Sequence, residues 1–481
     1  MKKSLALLLI AISCILCACS NNGGETDSPR NDGDGENVHG DGESMDNRKW
    51  LDYAPESDFE GYTFGMYIED GRTDMYIEEE VGEPVDDAVY MRNKIVEDRY
   101  NINIKAVWFE KGAATPGEAA ILAGENNFDV LVNHSIYSYM YVNKNLVADW
   151  IANMTYADLT KSWWNQDIVG ECTYFGRLYA VTGDIAWSTV GCTMCLFFNK
   201  DIFSDLQIPY PYTDVTNGTW TLDKLIEICR QGTAELNGDG VMTWGEDRYG
   251  LAMHNQFTFP QAAIYIGGDK IVKKDENGHP VLSLYNPRTI NIYEKLFDML
   301  DVNIGFCSIS DEPAVMPVFM DGKALFYDNM INGAVGLRQM DYDIGIIPLP
   351  KYDLQTPRYY SLMESNAQML TVPINTENFE RTSMILEAMA SEGQRTIIPA
   401  YYERTLKGKH ARDDESFEML DLIKDSSVVD WGYLNGGVTG ELNLPGHYML
   451  AGNNRNFASF YEARETAAQN NIQKFIDENE Y

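Results

Sequence analysis

The chain has 481 residues, with 37 Lys and Arg against 73 Asp and Glu and a formal net charge of −36 at pH 7. A field of that sign repels phosphate backbones and anionic lipid faces, which excludes nucleic acid as a partner and leaves no electrostatic route onto a membrane. The length is more than one hydrophobic core organises, so two lobes are expected.

Taken in chain order, Lys2 and Lys3 precede an apolar run from Leu5 to Leu16, too short to span a bilayer but suited to an export signal over residues 1–18. "LCAC", ending at Cys19, is similar to a bacterial lipobox, which implies that Cys19 is acylated and becomes the new N-terminus. Residues 19–57 are rich in Asn, Gly, Asp and Glu and hold almost nothing large and apolar, so they read as a flexible tether. Membrane contact is then expected through the lipid alone.

"YTFGMYI" (Tyr62 to Ile68) reads as a strand. In "VDDAVYMRNKIVEDRY", Val85, Val89, Arg92, Ile95, Val96 and Arg99 recur at helical spacing, and "INIKAVWF" is β-rich again. A helix-prone "GEAAILAGEN" and a third strand "FDVLVN" follow. Strand, helix, strand, helix, strand predicts a parallel sheet covered by helices, with ligands collecting at the carboxyl ends of the strands. Further on, Thr221 caps an amphipathic helix carrying Leu222, Leu225, Ile226 and Cys229, and two more amphipathic helices are expected in "ENFERTSMILEAMASEG" and "NFASFYEARETAAQNNIQKFIDE". No internal repeat stands out.

The ordered set "FDVLVNHSIYSYMYVNKNLVADW", "GRLYAVTGD", "FFNKDIF", "TWTLDKLIE", "FMDGKALFYDN", "YDIGIIPLPK" and "SNAQMLTVPINTENFERTSMILEAMA" resembles the family-1 extracellular solute-binding proteins, the lipid-tethered receptors of ABC importers to which maltose-binding protein is related. The resemblance implies an α/β fold of two lobes, each a mixed sheet flanked by helices, joined by crossing strands and closing on a solute, here an oligosaccharide. It implies a monomer that needs no cofactor, is held outside the cytoplasmic membrane, and hands its solute to permease subunits. "YAVTGD" and "MESNAQML" match the two crossings, giving a first lobe of 58–182 and 366–420 and a second of 183–365 and 421–481.

Sugars present an apolar face and a rim of hydroxyls, so their pockets need aromatic platforms and paired amides or carboxylates. The loop after the first strand offers Glu69, Asp70, Arg72 and Tyr76, and the loop after the third offers Asn133, His134 and Tyr137. The crossings offer Asp184, Trp187 and Glu364, and "FYDNM" offers Tyr327, Asp328 and Asn329. Trp431, Tyr433 and His447 lie in a glycine-rich stretch within reach of such a cleft.

Two other features invite chemistry. "ELNGDGVMTWGE" has the offsets of a calcium loop, with Glu235, Asn237, Asp239, Val241, Thr243 and Glu246 at the ligating positions, Glu replacing the usual Asp at the first; a structural calcium there is the expectation. Cys192 and Cys195 have a CxxC spacing, but in an apolar strand-like run without a second pair they read as buried thiols, among five cysteines (172, 192, 195, 229, 307) after Cys19. No HExxH, GxSxG or Walker pattern is present, so an enzyme is not expected. Glycoside hydrolysis by a carboxylate pair, or glycan capture without an importer, stays open as the alternative.

Overall fold

The computed structural model gathers Trp50–Tyr481 into one compact unit, of which it describes residues 56–125, 127–254, 259–308, 315–406 and 414–480. The signal, Cys19 and most of the tether lie outside the described residues. Among those described, no helix is long and apolar enough to cross a membrane.

The first sheet is built as the periodicity predicts. Strand β1 (Tyr62–Glu69) pairs in parallel with β2 (Ile102–Phe109), Tyr62 opposite Ile102 through to Glu69 opposite Phe109. Between them the helix Pro84–Tyr100 begins with proline, carries Asp86 and Asp87 in its first turn, and ends on Asn101 in the left-handed conformation with φ 49°. Its inward residues Val85, Val89, Arg92, Val96 and Tyr100 follow the helical repeat. Strand β3 (Val130–His134) lies on the other side of β1 with Ile68 opposite Val132, which brings the carboxyl ends of β1 and β3 side by side.

The second sheet contains β4 (Met194–Asn199) and β5 (Tyr249–His254). Strands β6 (Val272–Lys274) and β7 (Pro280–Leu282) form a separate hairpin. Strands β8 (Gly305–Ser308), β9 (Ala324–Met330) and β10 (Ile344–Ile347) complete the second sheet in the order β10-β4-β9-β5-β8, with β5 parallel to β8 and β9 and β4 antiparallel to β9 and β10. All residues of β4, β5, β9 and β10 are buried, as expected of strands covered on both faces.

The chain passes between the sheets more than once. Strand β11 (Ser361–Leu362) leads into a second crossing that reaches β12 (Gln368–Thr371), which adds antiparallel to β3 and closes the first sheet as β12-β3-β1-β2. The first crossing meets it where Val181 and Leu370 exchange backbone hydrogen bonds of 3.1 and 2.8 Å. Thr182 adds a side-chain bond of 2.6 Å to the Gln368 carbonyl. The helix Phe379–Leu406 then packs on Pro84–Tyr100 in the first lobe. The helix Asp414–Asp425 lies against β10 of the second sheet. Strand β13 (Ser427–Val428) pairs with β11, and the helix Phe457–Asn479 packs against β7 and the helix Pro287–Asp301.

Gly183 sits where the first crossing presses on Trp163 and Trp164; a Cβ there would stand 2.0 Å from the Trp163 carbonyl oxygen. Gly183→Ala is therefore expected to lower stability by about 1–3 kcal/mol, the usual cost of overpacking against backbone that has nowhere to move. A urea midpoint equal to that of the parent protein would refute the close packing.

Candidate functional site

The adjacent ends of β1 and β3 place Glu69 and His134 together, and the turn after β1 folds Arg72 back over both. Arg72 Nε donates to Glu69 Oε2 at 2.9 Å, and its Nη2 lies 2.6 Å from His134 Nε2. The same Nη2 reaches Asn366 Oδ1 on the second crossing at 3.2 Å. The Gly112 N–H donates to Glu69 Oε1 at 2.6 Å, bringing in the loop after β2. Asn133 holds that loop too, through Nδ2 to the Ala114 carbonyl at 3.1 Å.

The charge state follows from this geometry. Burial pushes the Glu69 carboxyl up, but the Gly112 N–H, Arg72 and His134 outweigh it and hold the carboxyl below its usual range. Burial, then the Arg72 cation, push His134 below its ordinary value against the pull of Glu69. His134 Nε2 lies 3.1 Å from Glu69 Oε2 as well as 2.6 Å from Arg72. One ring nitrogen cannot accept from Arg72 and donate to Glu69 at once. The tautomer therefore decides which of the two contacts is a hydrogen bond.

A second polar group stands on the crossing. Glu364 accepts from the Ser365 hydroxyl at 2.6 Å, from the Asn366 N–H and Nδ2 at 2.7 Å each, and from the Tyr433 hydroxyl at 3.1 Å. Behind Arg72, Asp74 is enclosed; burial pushes its carboxyl up while Arg72 and a hydrogen bond from Ser188 oppose that. Cys192 lies within the field of Glu364, Asp74 and Arg72, and burial drives its thiol well above the ordinary range. Two carboxyls thus have their pKa values pushed apart, a pattern seen in acid–base catalysis, yet Asp74 is 2% exposed and walled from any substrate.

Of the residues expected from sequence, Glu69, Arg72, His134 and Glu364 come together, with Asn133 bracing the loop behind them. The Tyr137 ring lies 5.4 Å from His134. Asp70 points to solvent, and Tyr76 packs edge-on to Trp108 at 5.9 Å. Asp184 and Trp187 are elsewhere: Asp184 accepts from Gln394 at 2.8 Å, and Trp187 stacks on Tyr401 at 5.3 Å. In β9, the Tyr327 ring is in the core between Phe197 and Phe319, Asp328 accepts from the Phe259 N–H, and Asn329 bonds Tyr327 and the Met330 N–H. Trp431 is packed between Tyr174 and Phe475, and His447 lies beside Tyr448. Asp74, Gly112, Ser188 and Asn366 join the site without having been singled out; Asn366 sits within the quoted second crossing and Ser188 four residues beyond the first, whereas nothing local marks Gly112.

The 235–246 loop folds on itself. Glu235 Oε1 accepts from the N–H groups of Asn237 and Asp239 at 2.9 and 3.2 Å, Asp239 accepts from Val241 at 2.7 Å, and Asn237 donates to Glu246 at 2.9 Å. The Thr243 N–H is taken by Asp247 at 2.7 Å. Among the described residues no group of three or more His, Cys, Asp and Glu is placed to hold a metal ion. Cys172, Cys192, Cys195 and Cys229 are free thiols, and all four are buried.

No protein-family model matches the sequence, and no curated protein matches it as a relative. Solved structures do match in shape. The GacH receptor of Streptomyces glaucescens, solved unliganded and with acarbose, aligns at 14% identity over 85% of this chain and 99% of its own, with a TM-score of 0.57. An ABC transporter solute-binding protein from Thermotoga lettingae bound with α-D-tagatose aligns at 13% over 86% and 99%, TM-score 0.54. The maltose/maltodextrin-binding domain from Bdellovibrio bacteriovorus bound to maltotriose aligns at 14% over 86% and 100%, TM-score 0.52. The fold is therefore the two-lobed, type II periplasmic-binding-protein fold, shared with maltose-binding-protein-like sugar receptors.

Acid should weaken this site. The folded state holds His134 neutral below the ordinary histidine pKa of about 6.5, so the unfolded chain binds the proton first and stability falls as pH drops from there through the depressed folded value. Glu69 adds a loss in the same direction at lower pH, as the pH falls through its own depressed folded value. Urea midpoints at pH 7 and pH 5 should differ less in His134→Gln than in the parent; an equal difference in both would remove His134 from the account.

Arg72→Met should cost about 2–4 kcal/mol, because it strands the buried Glu69 carboxylate, and Glu69→Gln in the same chain should restore part of it. A double-mutant cycle with no coupling would refute the pairing.

Proposed function

We propose that the protein is a lipid-anchored receptor on the outer face of the cytoplasmic membrane, which captures a small solute, by its chemistry an oligosaccharide, between its lobes and presents it to an ABC importer. The observation that carries this reading is the polar cluster at the joined carboxyl ends of β1 and β3, where Arg72 bridges to Asn366 on the crossing between lobes. Ligands of open α/β sheets collect at such ends. Arg72, Asn366 and His134, each partly exposed, supply mixed donors and acceptors suited to hydroxyls, the buried Glu364 orients Asn366, and Tyr137 supplies an adjoining ring. The neighbours in shape are sugar receptors, which supports a carbohydrate solute here.

Closure works by population shift. A solute that touches both lobes only when they approach stabilises the closed arrangement by its differential contacts, and no bond is broken. Export and acylation at Cys19 place the protein where solute arrives, and the tether keeps it near its permease. The 235–246 loop is proposed as a calcium staple that forms once Glu235 gives up its backbone bonds.

Calorimetry of the purified protein against maltotriose, maltotetraose, tagatose and ribitol should find at least one saturable ligand. Arg72→Met should weaken it at least tenfold, equivalent to about 1.4 kcal/mol. Absence of binding across the panel together with release of reducing ends from a glycan would replace this reading with the hydrolase alternative. Radiolabelled palmitate should enter the parent protein in a bacterial host and not Cys19→Ser; label in both would sink the anchor.

A further inference from the structure

The first crossing has two faces. Along its short helical turn, Ser188 and Cys192 share one side, toward Asp74, Arg72 and Glu364. Thr189, Val190 and Thr193 share the other, which lines a separate cavity of about 370 Å³. That volume lies within the range of small-molecule sites. Its walls come from both sides of the hinge. Asn165, Asp167 and Asp184 belong to the stretch entering and following the first crossing, while Lys424, Asp425 and Ser427 belong to the return through β13. None of Glu69, Arg72, His134, Glu364 or Asn366 borders it.

Three observations say what would fit. The Thr193 hydroxyl is buried, its residue 1% exposed, and makes no hydrogen bond; Ser427 Oγ is likewise unpartnered. Leaving such groups desolvated costs free energy that a ligand would recover. The lining carries three carboxylates, Asp167, Asp184 and Asp425, against the single ammonium of Lys424. Lys424 acts on Asp184 and lies 5.6 Å from the Tyr402 ring, Gln394 donates to Asp184, and Lys270 and Arg358 act on Asp167 from outside the lining. The excess of acceptors disfavours an anion. A metal cage is disfavoured by spacing, since no described group of three such side chains is placed to hold an ion.

We propose that this hinge-back cavity is a second binding site, for a small organic ammonium ion whose charge pairs with Asp184 and whose donors meet Thr193 and Ser427, and that its occupancy is linked to lobe movement. The linkage follows from walls that belong to both sides of a hinge: any change in their separation changes the affinity, and by reciprocity the ligand biases the hinge.

The test is calorimetric titration of the purified protein with 1,4-diaminobutane, using 1,4-butanediol as the uncharged control. Saturable binding of the diamine alone, weakened at least tenfold in Asp184→Asn and in Thr193→Val, supports the site. Should either variant fail to fold by circular dichroism, Asp425→Asn at the exposed rim takes its place, with the same direction of change expected. Dilution heat only, equal binding of the diol, or unchanged affinity in the variants overturns the site. Small-angle scattering reads the linkage: saturating diamine should change the radius of gyration, and binding with an unchanged profile overturns the coupling while leaving the site.

Discussion

The architecture depends on two extended segments that cross between sheets and hydrogen-bond to each other, Val181 with Leu370. Backbone polar groups buried at a lobe junction have to be paired, and pairing the crossings with each other satisfies both while leaving them extended. Thr182 and Ser188 reinforce the pair by bonding the Gln368 carbonyl and N–H respectively.

The same junction sets the site. Arg92, fully buried, donates to the carbonyls of Met75, Ile185 and Met389, tying the loop behind Arg72 and Asp74 to the first crossing and to the helix Phe379–Leu406. Burial pushes the guanidinium down to about 9, with Glu392 opposing, so it stays charged at neutral pH and its carbonyl partners stay held. Any shift of the crossing is therefore felt at the Arg72 loop through one rigid side chain. The crossing also separates two environments: an ion-paired face with Arg72 at its centre, and an acidic face around Asp184.

The local elements were legible because their causes are local. The β-prone run in Tyr62–Ile68, the helical repeat through Val85 and Val96, and the Thr221 cap act within a few residues and need no tertiary partner. The loops that leave β1 and β3 could be named as binding loops because a parallel sheet puts its strand ends on one edge. Which way their side chains turn was not legible. Asp70 and Arg72 are two apart, yet one faces water and the other folds over Glu69 because His134 and Asn366 wait there. Asp184 and Trp187 face away from Arg72 because Gln394 and Tyr401, more than two hundred residues later, hold them.

By itself, the sequence determined an acidic chain, α/β segments in a recognisable order, and the loops in which polar chemistry is concentrated. Those properties depend on composition and on periodicities of a few residues, which the chain carries wherever it folds. Tertiary structure alone decided that Asp74 is sealed behind Arg72, that Tyr327 packs in the core, and that Thr193 and Cys192, neighbours in the chain, look into different spaces. Each of these follows from burial by distant segments, and burial sets both charge state and access.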